Sequence, residues 1–433
     1  GGPDQLRRIG LDREGLYQKY FELNGSLNFL RAASLITHET GGKVTTVSGD
    51  LKASWGYAAE LKRSHEEILT RARNLKGGKP VGDVFVPNCG LDIFRDIGII
   101  GITNGLSPVN RAENLPELKA SVLRSQQEKS GGDPIFCNPA VSAALLGRDH
   151  NFGPGNLEVK KELKRLLHLE LFGSEPEADL VFLVSVGRLA SQKNFELIAA
   201  TAERVMGCYP SLKFAIMANP PEGDMEARAL QKRFESLKAS YPDSFFYSRV
   251  FSHPHSRLIL AGGDFALIPS RFEPCGLVDY EASALGTVVI GHNIGGLSKV
   301  AGCGYLYDWL DSRDSAGEAG AFFNSIREAV ETFRENNSGH QDLVRAAMRL
   351  DSSWERSAST YIDMYLYGFA FRSWLAGKEA ISRQVEKYAE KLFERYPCFP
   401  EFYHPASADL LETRMTAAVE ARKASVSSPD GSR

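Results

Sequence analysis

From Asp179 onward, short apolar runs alternate with segments whose apolar residues recur at helical spacing. The first run, residues 180–186, is apolar almost throughout, which is typical of a strand buried on both faces. Leu197, Ile198 and Val205 follow at the spacing of one helix face. Strands that alternate with helices predict an α/β protein with a doubly wound parallel sheet, in which ligands bind beyond the carboxyl ends of the strands. Further strands are predicted at 214–217, 245–250, 264–269 and 287–290.

The pattern over residues 1–178 is less regular. It predicts helices over 29–35 and 57–69 and a short strand over 44–47, and the section over roughly 74–157, which has little periodicity, is predicted to include extended loops. Towards the other end of the chain, helices are predicted over 322–335 and 355–396, and the polar tail after Ala424 is predicted to be disordered.

The length of 433 residues exceeds that of one ordinary core and predicts two domains. We place the first domain at 1–178 and the second at 179–350, followed by closing helices over 351–410 and a mostly disordered tail over 411–433.

Composition and charge narrow the class of protein. The formal net charge of −3 predicts neither nucleic acid nor an anionic membrane as a partner. The six cysteines show no paired metal-ligand spacing and are interpreted as reduced thiols of an intracellular protein. No apolar run approaches the length of a membrane span, and the first residues form neither a signal peptide nor a transit sequence.

The most informative stretch is 270–287, Ser-Arg-Phe-Glu-Pro-Cys-Gly-Leu-Val-Asp-Tyr-Glu-Ala-Ser-Ala-Leu-Gly-Thr. It places Glu273 at a turn after a predicted strand and Glu281 in the helix that follows. A helix start suits phosphate groups, and a carboxylate at a turn can accept hydrogen bonds from sugar hydroxyls. The pattern therefore favours a nucleotide-sugar site, although two glutamates eight residues apart are also a common coincidence in α/β proteins.

A second stretch, Val-Gly-Arg-Leu-Ala-Ser-Gln-Lys over 186–193, follows the first buried strand. Gly187 is interpreted as opening a turn, and a helix is predicted to begin near Asn194. Arg188 and Lys193 could stabilise the negative charge that develops on a departing diphosphate. For an isolated pair of cations, solvated loop charges are the more common interpretation.

Together these two stretches resemble the donor-site motifs of bacterial glycogen synthases and plant starch synthases, which are retaining glucosyltransferases of the GT-B architecture. The resemblance implies that Arg188 and Lys193 bind the diphosphate and that Glu273 binds sugar hydroxyls. It also implies donor contacts from the backbone of Cys275, Gly276 and Leu277, and from Glu281 to the ribose. A nucleophilic role for Cys275 is disfavoured, since no histidine partners it in the sequence.

The resemblance extends to two further segments. Gly295-Gly296-Leu297 resembles a Thr-Gly-Gly-Leu segment of the family, with Ile294 in place of the threonine. Ile99-Ile-Gly-Ile-Thr-Asn-Gly105 resembles a Gly-Ile-x-Asn-Gly strand and turn, which implies that Asn104 lies at the interdomain cleft and contacts the donor. The loop after Asn104, Leu-Ser-Pro-Val, departs from the family pattern.

One family feature is missing from the sequence. Family members begin with a Lys-x-Gly-Gly-Leu loop in the first Rossmann-like half, and this chain has none. We therefore expect a complete second Rossmann-like domain and only a partial first, acceptor-side one. Three explanations stay open: a fragment, a partner chain that supplies the missing half, or a degenerate member.

The resemblance implies transfer of glucose from ADP-glucose or UDP-glucose to the non-reducing end of an α-1,4-glucan. The expected partners are a nucleotide sugar and an α-glucan, with no metal or other cofactor, in the cytoplasm or a plastid. The alternative is a non-catalytic relative that binds nucleotide sugar or glucan.

Overall fold

The computed structural model describes residues 17–23, 26–39, 43–50, 52–84, 93–106, 138–147 and 152–375. These residues form two compact units. The first unit takes its described residues from Gly1–Ser64, Asn88–Thr103 and Ser357–Arg433, and the second from His65–Pro87 and Asn104–Arg356.

The described helices and strands follow one another in chain order. The α-helices are α1 (Phe29–Glu39), α2 (Gly56–Lys62), α3 (His65–Leu75), α4 (Ile93–Ile97), α5 (Pro139–Gly147), α6 (Glu158–Phe172), α7 (Phe195–Cys208), α8 (Met225–Ser240), α9 (His253–Gly262), α10 (Val278–Ala284), α11 (Ser315–Glu335), α12 (Asn337–Met348) and α13 (Trp354–Leu375). The strands are β1 (Glu22–Leu23), β2 (Ser26–Leu27), β3 (Thr45–Thr46), β4 (Ile100–Gly101), β5 (Val181–Arg188), β6 (Leu212–Asn219), β7 (Phe245–Ser248), β8 (Phe265–Ile268), β9 (Val288–His292) and β10 (Tyr305–Tyr307). A π-helical turn spans Tyr17–Phe21, and 3₁₀ turns span Ser191–Lys193 and Gly295–Val300.

The second unit is built on a six-stranded sheet in the order β10-β9-β8-β5-β6-β7. All its strand pairs are parallel, and β5 pairs with β6 along its whole length, from Val181 opposite Leu212 to Arg188 opposite Asn219. This confirms the predicted doubly wound α/β sheet. Strand β10 was not predicted, because it is three residues long and follows a segment rich in glycine.

Both faces of this sheet are covered, which explains why β5 is apolar without alternation. Val181 and Leu183 belong to a core with α7, α8 and α11, whereas Phe182 and Val184 belong to a second core with α6 and α9. Each of these four side chains is fully buried.

The first unit contains shorter elements. The helix predicted over 29–35 is confirmed and extends as α1 to Glu39, and the strand predicted over 44–47 is confirmed as β3, which pairs in parallel with β4. A small core of Ala58, Phe94 and Ile99 lies beside these elements.

One prediction in this part of the chain was wrong. The single helix predicted over 57–69 is two helices, because Arg63 adopts an extended conformation (φ −74°, ψ 139°) that ends α2 before α3 begins. The section predicted to include extended loops also contains α4 and α5, which were not predicted because their sequences are too short for a clear helical period.

The helix predicted from residue 355 is confirmed as α13 up to Leu375. Its predicted continuation to 396, the loop at 107–109 and the predicted disordered tail lie outside the described residues. The compact units differ in extent from the predicted domains, since residues 65–84 and α6 group with the large sheet; the domain boundaries stay a prediction. Within the described ranges, no helix combines the length and the apolar character needed to cross a bilayer.

Candidate functional site

Three turns follow the carboxyl ends of neighbouring strands in the second unit. Strand β5 leads into the 3₁₀ turn Ser191–Lys193, β8 leads into the turn over 270–277, and β9 leads into the 3₁₀ turn Gly295–Val300. Because β9, β8 and β5 are adjacent in the sheet, the three turns lie side by side. In an open parallel sheet this is the position where ligands bind.

Hydrogen bonds join the first two turns directly. The Gln192 side chain donates from Nε2 to the carbonyl oxygen of Phe272 at 2.8 Å, and the Arg271 backbone N–H donates to the Gln192 carbonyl at 2.9 Å. The Lys193 ammonium forms an ion pair with the Glu273 carboxylate. The structure therefore brings together two predicted site residues that are 80 positions apart in the chain.

Glu273 is held from several sides. Its side chain is buried, and its carboxylate also accepts a hydrogen bond from the Ser270 hydroxyl at 3.2 Å. Its backbone carbonyl accepts from the Gly296 N–H at 2.7 Å. Glu273 thus connects all three turns.

Glycine is required at two positions of this site. Gly276 has a φ of +74°, where side chains are strained. A Cβ at Gly296 would lie 2.0 Å from the Cys275 carbonyl oxygen, so only glycine permits this approach of the two backbones. Gly295, which precedes it, is buried and also has a positive φ.

A cavity of about 500 Å³ opens beside the turns at the ends of β5 and β6. Gly187, Arg188 and Glu281 line it, together with Asn219 and Arg257. Burial raises the pKa of Glu281, and the neighbouring Arg257 acts in the opposite direction. Lys193 and Glu273 are not among the described residues that line this cavity. The predicted site residues therefore form two groups, one in the turns and one in the cavity wall.

Gly187 does not open a turn as predicted. It is the seventh residue of β5 and pairs with Ala218, so the strand continues through Arg188, whose side chain is exposed. A Cβ at Gly187 would meet only ordinary contacts with the Phe195 ring. The helix predicted near Asn194 begins at Phe195, after the 3₁₀ turn.

Asn104 lies against the same site. The Asn104 backbone lies beside the Cys275 thiol and lowers its pKa, whereas the larger effect of burial raises it. Cys275 is buried, and burial raises the pKa of its thiol, which disfavours the thiolate that a nucleophile requires. Leu277, by contrast, exposes 42% of its surface at the start of α10.

Sequence reasoning missed a buried ion pair beneath these turns. The Lys299 ammonium lies 2.5 Å from the Asp279 carboxylate, and both side chains are almost completely buried. The available signal was a charged residue within each of two otherwise apolar segments, Leu-Val-Asp-Tyr and Leu-Ser-Lys-Val. A charge in such a context more often marks an exposed helix face than a buried pair.

Comparison with known proteins identifies the class of protein. Residues 181–322, which include β5 to β10, match the family described as glycosyl transferases group 1. Among solved structures, the catalytic domain of starch synthase IV from Arabidopsis thaliana, bound to ADP and acarbose, has a TM-score of 0.56 at 22% identity and covers 84% of this chain and 63% of that one. The chain therefore has the α/β fold of the GT-B glycosyltransferases, as predicted.

In sequence, the chain is similar to bacterial glycogen synthases and plant starch synthases. It is 32% identical over 243 residues to a glycogen synthase of Paramagnetospirillum magneticum, which covers 54% of this chain and 46% of the relative. It is 30% identical over 240 residues to starch synthase 1, chloroplastic/amyloplastic, of Triticum aestivum, covering 54% of this chain and 35% of the relative. The matched part thus spans half or less of the length of these two relatives.

Proposed function

We propose that this chain transfers glucose, with retention, from ADP-glucose or UDP-glucose to the non-reducing end of an α-1,4-glucan. The observation that carries the proposal is the junction of the two motifs, where Lys193 pairs with Glu273 beside a cavity lined by Arg188 and Glu281. Cations, a buried carboxylate and backbone turns are the groups that a sugar diphosphate requires.

Each residue of the proposed site has a role in binding the donor. Arg188 and Lys193 bind the diphosphate, and their fixed positive charge stabilises the leaving group as the glycosidic bond breaks. When the donor binds, Lys193 exchanges part of its ion pair with Glu273 for a phosphate oxygen. Glu273 then accepts hydrogen bonds from glucose hydroxyls, and Glu281 accepts them from the ribose.

The proposed reaction occurs on one face of the sugar. The bond between the anomeric carbon and the diphosphate oxygen breaks, and an acceptor hydroxyl attacks from the same face, which retains the configuration. The leaving diphosphate oxygen takes the proton of that hydroxyl, so no protein base is needed. We assign no metal or other cofactor to this step, because Arg188 and Lys193 supply the positive charge.

The relatives support the choice of substrates and compartment. Their names, glycogen synthase and starch synthase, indicate a glucan product, and the Arabidopsis structure contains ADP and acarbose. A nucleotide sugar and an α-glucan are therefore the proposed partners. We propose the cytoplasm or a plastid as the compartment, since the wheat relative is named chloroplastic/amyloplastic.

A direct assay tests this proposal. The chain is incubated with radiolabelled ADP-glucose or UDP-glucose and a malto-oligosaccharide, and extension of the oligosaccharide is followed by chromatography. We expect Lys193→Ala to lower turnover by roughly a hundredfold, because a charge that stabilises the leaving group is lost. The matched control is Lys232→Ala, an exposed lysine on α8. Equal activity of the two variants would contradict the site assignment.

The alternative function is that of a domain that binds nucleotide sugar or glucan without turning it over. Calorimetric titration with ADP and UDP, compared with the extension assay, distinguishes an enzyme from a binding domain. Micromolar binding without any chain extension would favour the alternative, including the case in which a second chain completes the enzyme. If Arg188→Ala did not affect nucleotide binding, neither the proposed enzyme nor the binding domain would have support from this site.

A further inference from the structure

The Lys299 side chain lies directly beneath the Cys275–Leu277 turn. Only 3% of it is exposed. Its ammonium donates to the carbonyl oxygens of Gly276 and Gly296, both at 3.0 Å, and to that of Cys275. These three carbonyls come from the two glycine-containing turns that also contact Glu273.

Asp279 balances the charge of Lys299. Its carboxylate is fully buried and lies 2.5 Å from the ammonium, which also lies 4.5 Å from the centre of the Tyr280 ring. Burial raises the pKa of Asp279, and Lys299 acts in the opposite direction. Removing two charges from water is costly, so a buried pair of this kind is weak evidence for a stabilising role. What the pair does is hold three carbonyl oxygens close together.

The direction of these carbonyls determines the direction of neighbouring N–H groups. In a planar trans peptide, the C=O and the next residue's N–H point in opposite directions. Because the carbonyls of Cys275 and Gly276 point towards Lys299, the N–H groups of Gly276 and Leu277 point away from it. Within the described part of the chain, neither N–H has a backbone hydrogen-bond partner. Two parallel N–H donors form a site suited to an anionic oxygen.

We propose that Lys299 is a positioning residue for donor binding. Neutralised by Asp279, it holds the carbonyls of Cys275, Gly276 and Gly296 on one side, so that the N–H groups of Gly276 and Leu277 are presented to the donor. Their ligand is the distal phosphate or a sugar hydroxyl of the nucleotide sugar. This inference rests on the proposed function and adds to it the residue that orients the turn.

The test compares three variants of the full chain. Lys299→Met removes the ammonium at similar length but leaves Asp279 buried and unpaired, which threatens folding. The double variant Lys299→Met/Asp279→Asn removes both charges and keeps the volume, so it is the informative variant. The matched control is Lys160→Met. Lys160 is also buried and donates to the carbonyls of Ala261 at 3.0 Å and Leu285 at 3.2 Å, but these residues lie at the opposite end of the strands.

Steady-state kinetics and hydrogen exchange are measured on each variant. We expect the double variant to raise the KM for the nucleotide sugar about tenfold, because displacement of a binding group by 1 Å or less has effects of this size. The KM for the malto-oligosaccharide should not change. Lys160→Met should leave both KM values unchanged, even where it lowers the thermal midpoint.

Hydrogen exchange makes the result independent of the proposed function. In the double variant, without ligand, we expect faster exchange in peptides covering 272–278 and 294–299, where the Gly296 N–H is bonded to Glu273. Lys160→Met should not change exchange in those peptides. A double variant with wild-type donor KM and wild-type exchange in the turns would overturn the inference. If the wild-type chain shows no turnover at all, the proposed function fails, and the exchange comparison alone decides the role of Lys299.

Discussion

The two ends of the large sheet each contain a buried lysine that binds backbone carbonyls, but their surroundings differ. At the carboxyl end, Lys299 binds carbonyls of two turns that contain glycine and lie near an open cavity. At the amino end, Lys160 binds the carbonyls of Ala261 and Leu285 and the Thr287 hydroxyl, all within a packed core.

The charged side chains at the amino end of the sheet bind partners inside the core. Lys164 forms an ion pair with Asp264 at 2.7 Å, and Asp264 also accepts from the Phe182 N–H at 2.7 Å. Burial lowers the pKa of Lys160 to about 7, and lowers that of His340, which also lies near Asp264, to about 4. Because both ends contain buried charge, the role proposed for Lys299 depends on the glycine turns above it and on the nearby cavity, and not on burial alone.

The largest effect is expected from Gly296→Ala at the carboxyl end. The new Cβ would lie 2.0 Å from a backbone oxygen that cannot move aside without displacing the Cys275 turn. We expect a loss of about 3 kcal/mol in the free energy of unfolding from overpacking. Glucan extension should fall by about a hundredfold, since the turn is displaced. Urea denaturation and the extension assay measure the two effects.

The control for this variant is Gly320→Ala within α11, where an added Cβ meets nothing within 4 Å. A helix-interior glycine lowers stability, so this change should increase the free energy of unfolding by about 0.5 kcal/mol without changing activity. If Gly296→Ala behaved like Gly320→Ala, the close approach of the two turns would not exist in solution.

A smaller effect is expected from Asp264→Asn at the amino end. Asparagine keeps the volume and can accept from Phe182, but it leaves Lys164 without its carboxylate. We expect a loss of about 2 kcal/mol in the free energy of unfolding, the size of one charged hydrogen bond. The KM for the nucleotide sugar should stay at the wild-type value. A raised KM for the nucleotide sugar would show that the two ends of the sheet are coupled. It would contradict the distinction drawn between them.

The smallest effect at neutral pH is expected from His340→Phe. The ring of His340 packs edge-to-face on Phe265 and Phe333, at 5.1 and 4.8 Å, so a phenyl ring fits the site. Its pKa of about 4 in the folded chain lies below the ordinary 6.5. Between these values the unfolded chain binds the extra proton, so stability falls as the pH falls from 6.5 to 4.

The phenylalanine variant should remove this part of the pH dependence, which urea denaturation at pH 6.5, 5 and 4 would measure. The exposed His65 gives a control in His65→Gln, which should keep the wild-type profile. Identical profiles of His340→Phe and the wild type would show that His340 does not contribute to acid destabilisation.

Much of the second unit was predictable from the sequence. Strands β5, β6 and β8 are continuous apolar runs because both faces of the sheet are covered, and such runs are visible without a structure. The motifs around Lys193 and Glu273 were predictable because parallel strands place their following turns at the same end of the sheet. In the structure these two residues form an ion pair, and their roles in binding stay predictions.

Other features could not be predicted, because they depend on contacts between distant segments. The break between α2 and α3 has no proline or glycine to mark it, and β10 is too short to show a period. Arg257, which shares the cavity with Glu281, carries no local signal.

The sequence by itself determined the parallel α/β sheet and the two turns proposed to bind the donor, because hydrophobic periodicity and turn residues are local properties. The tertiary structure alone decided which end of the sheet each buried lysine occupies and which carbonyls it binds. Lys160 and Lys299 are both lysines near apolar residues, and their hydrogen-bond partners lie between 3 and 127 positions away in the chain. Tertiary packing brings such partners together, and no local sequence pattern predicts them.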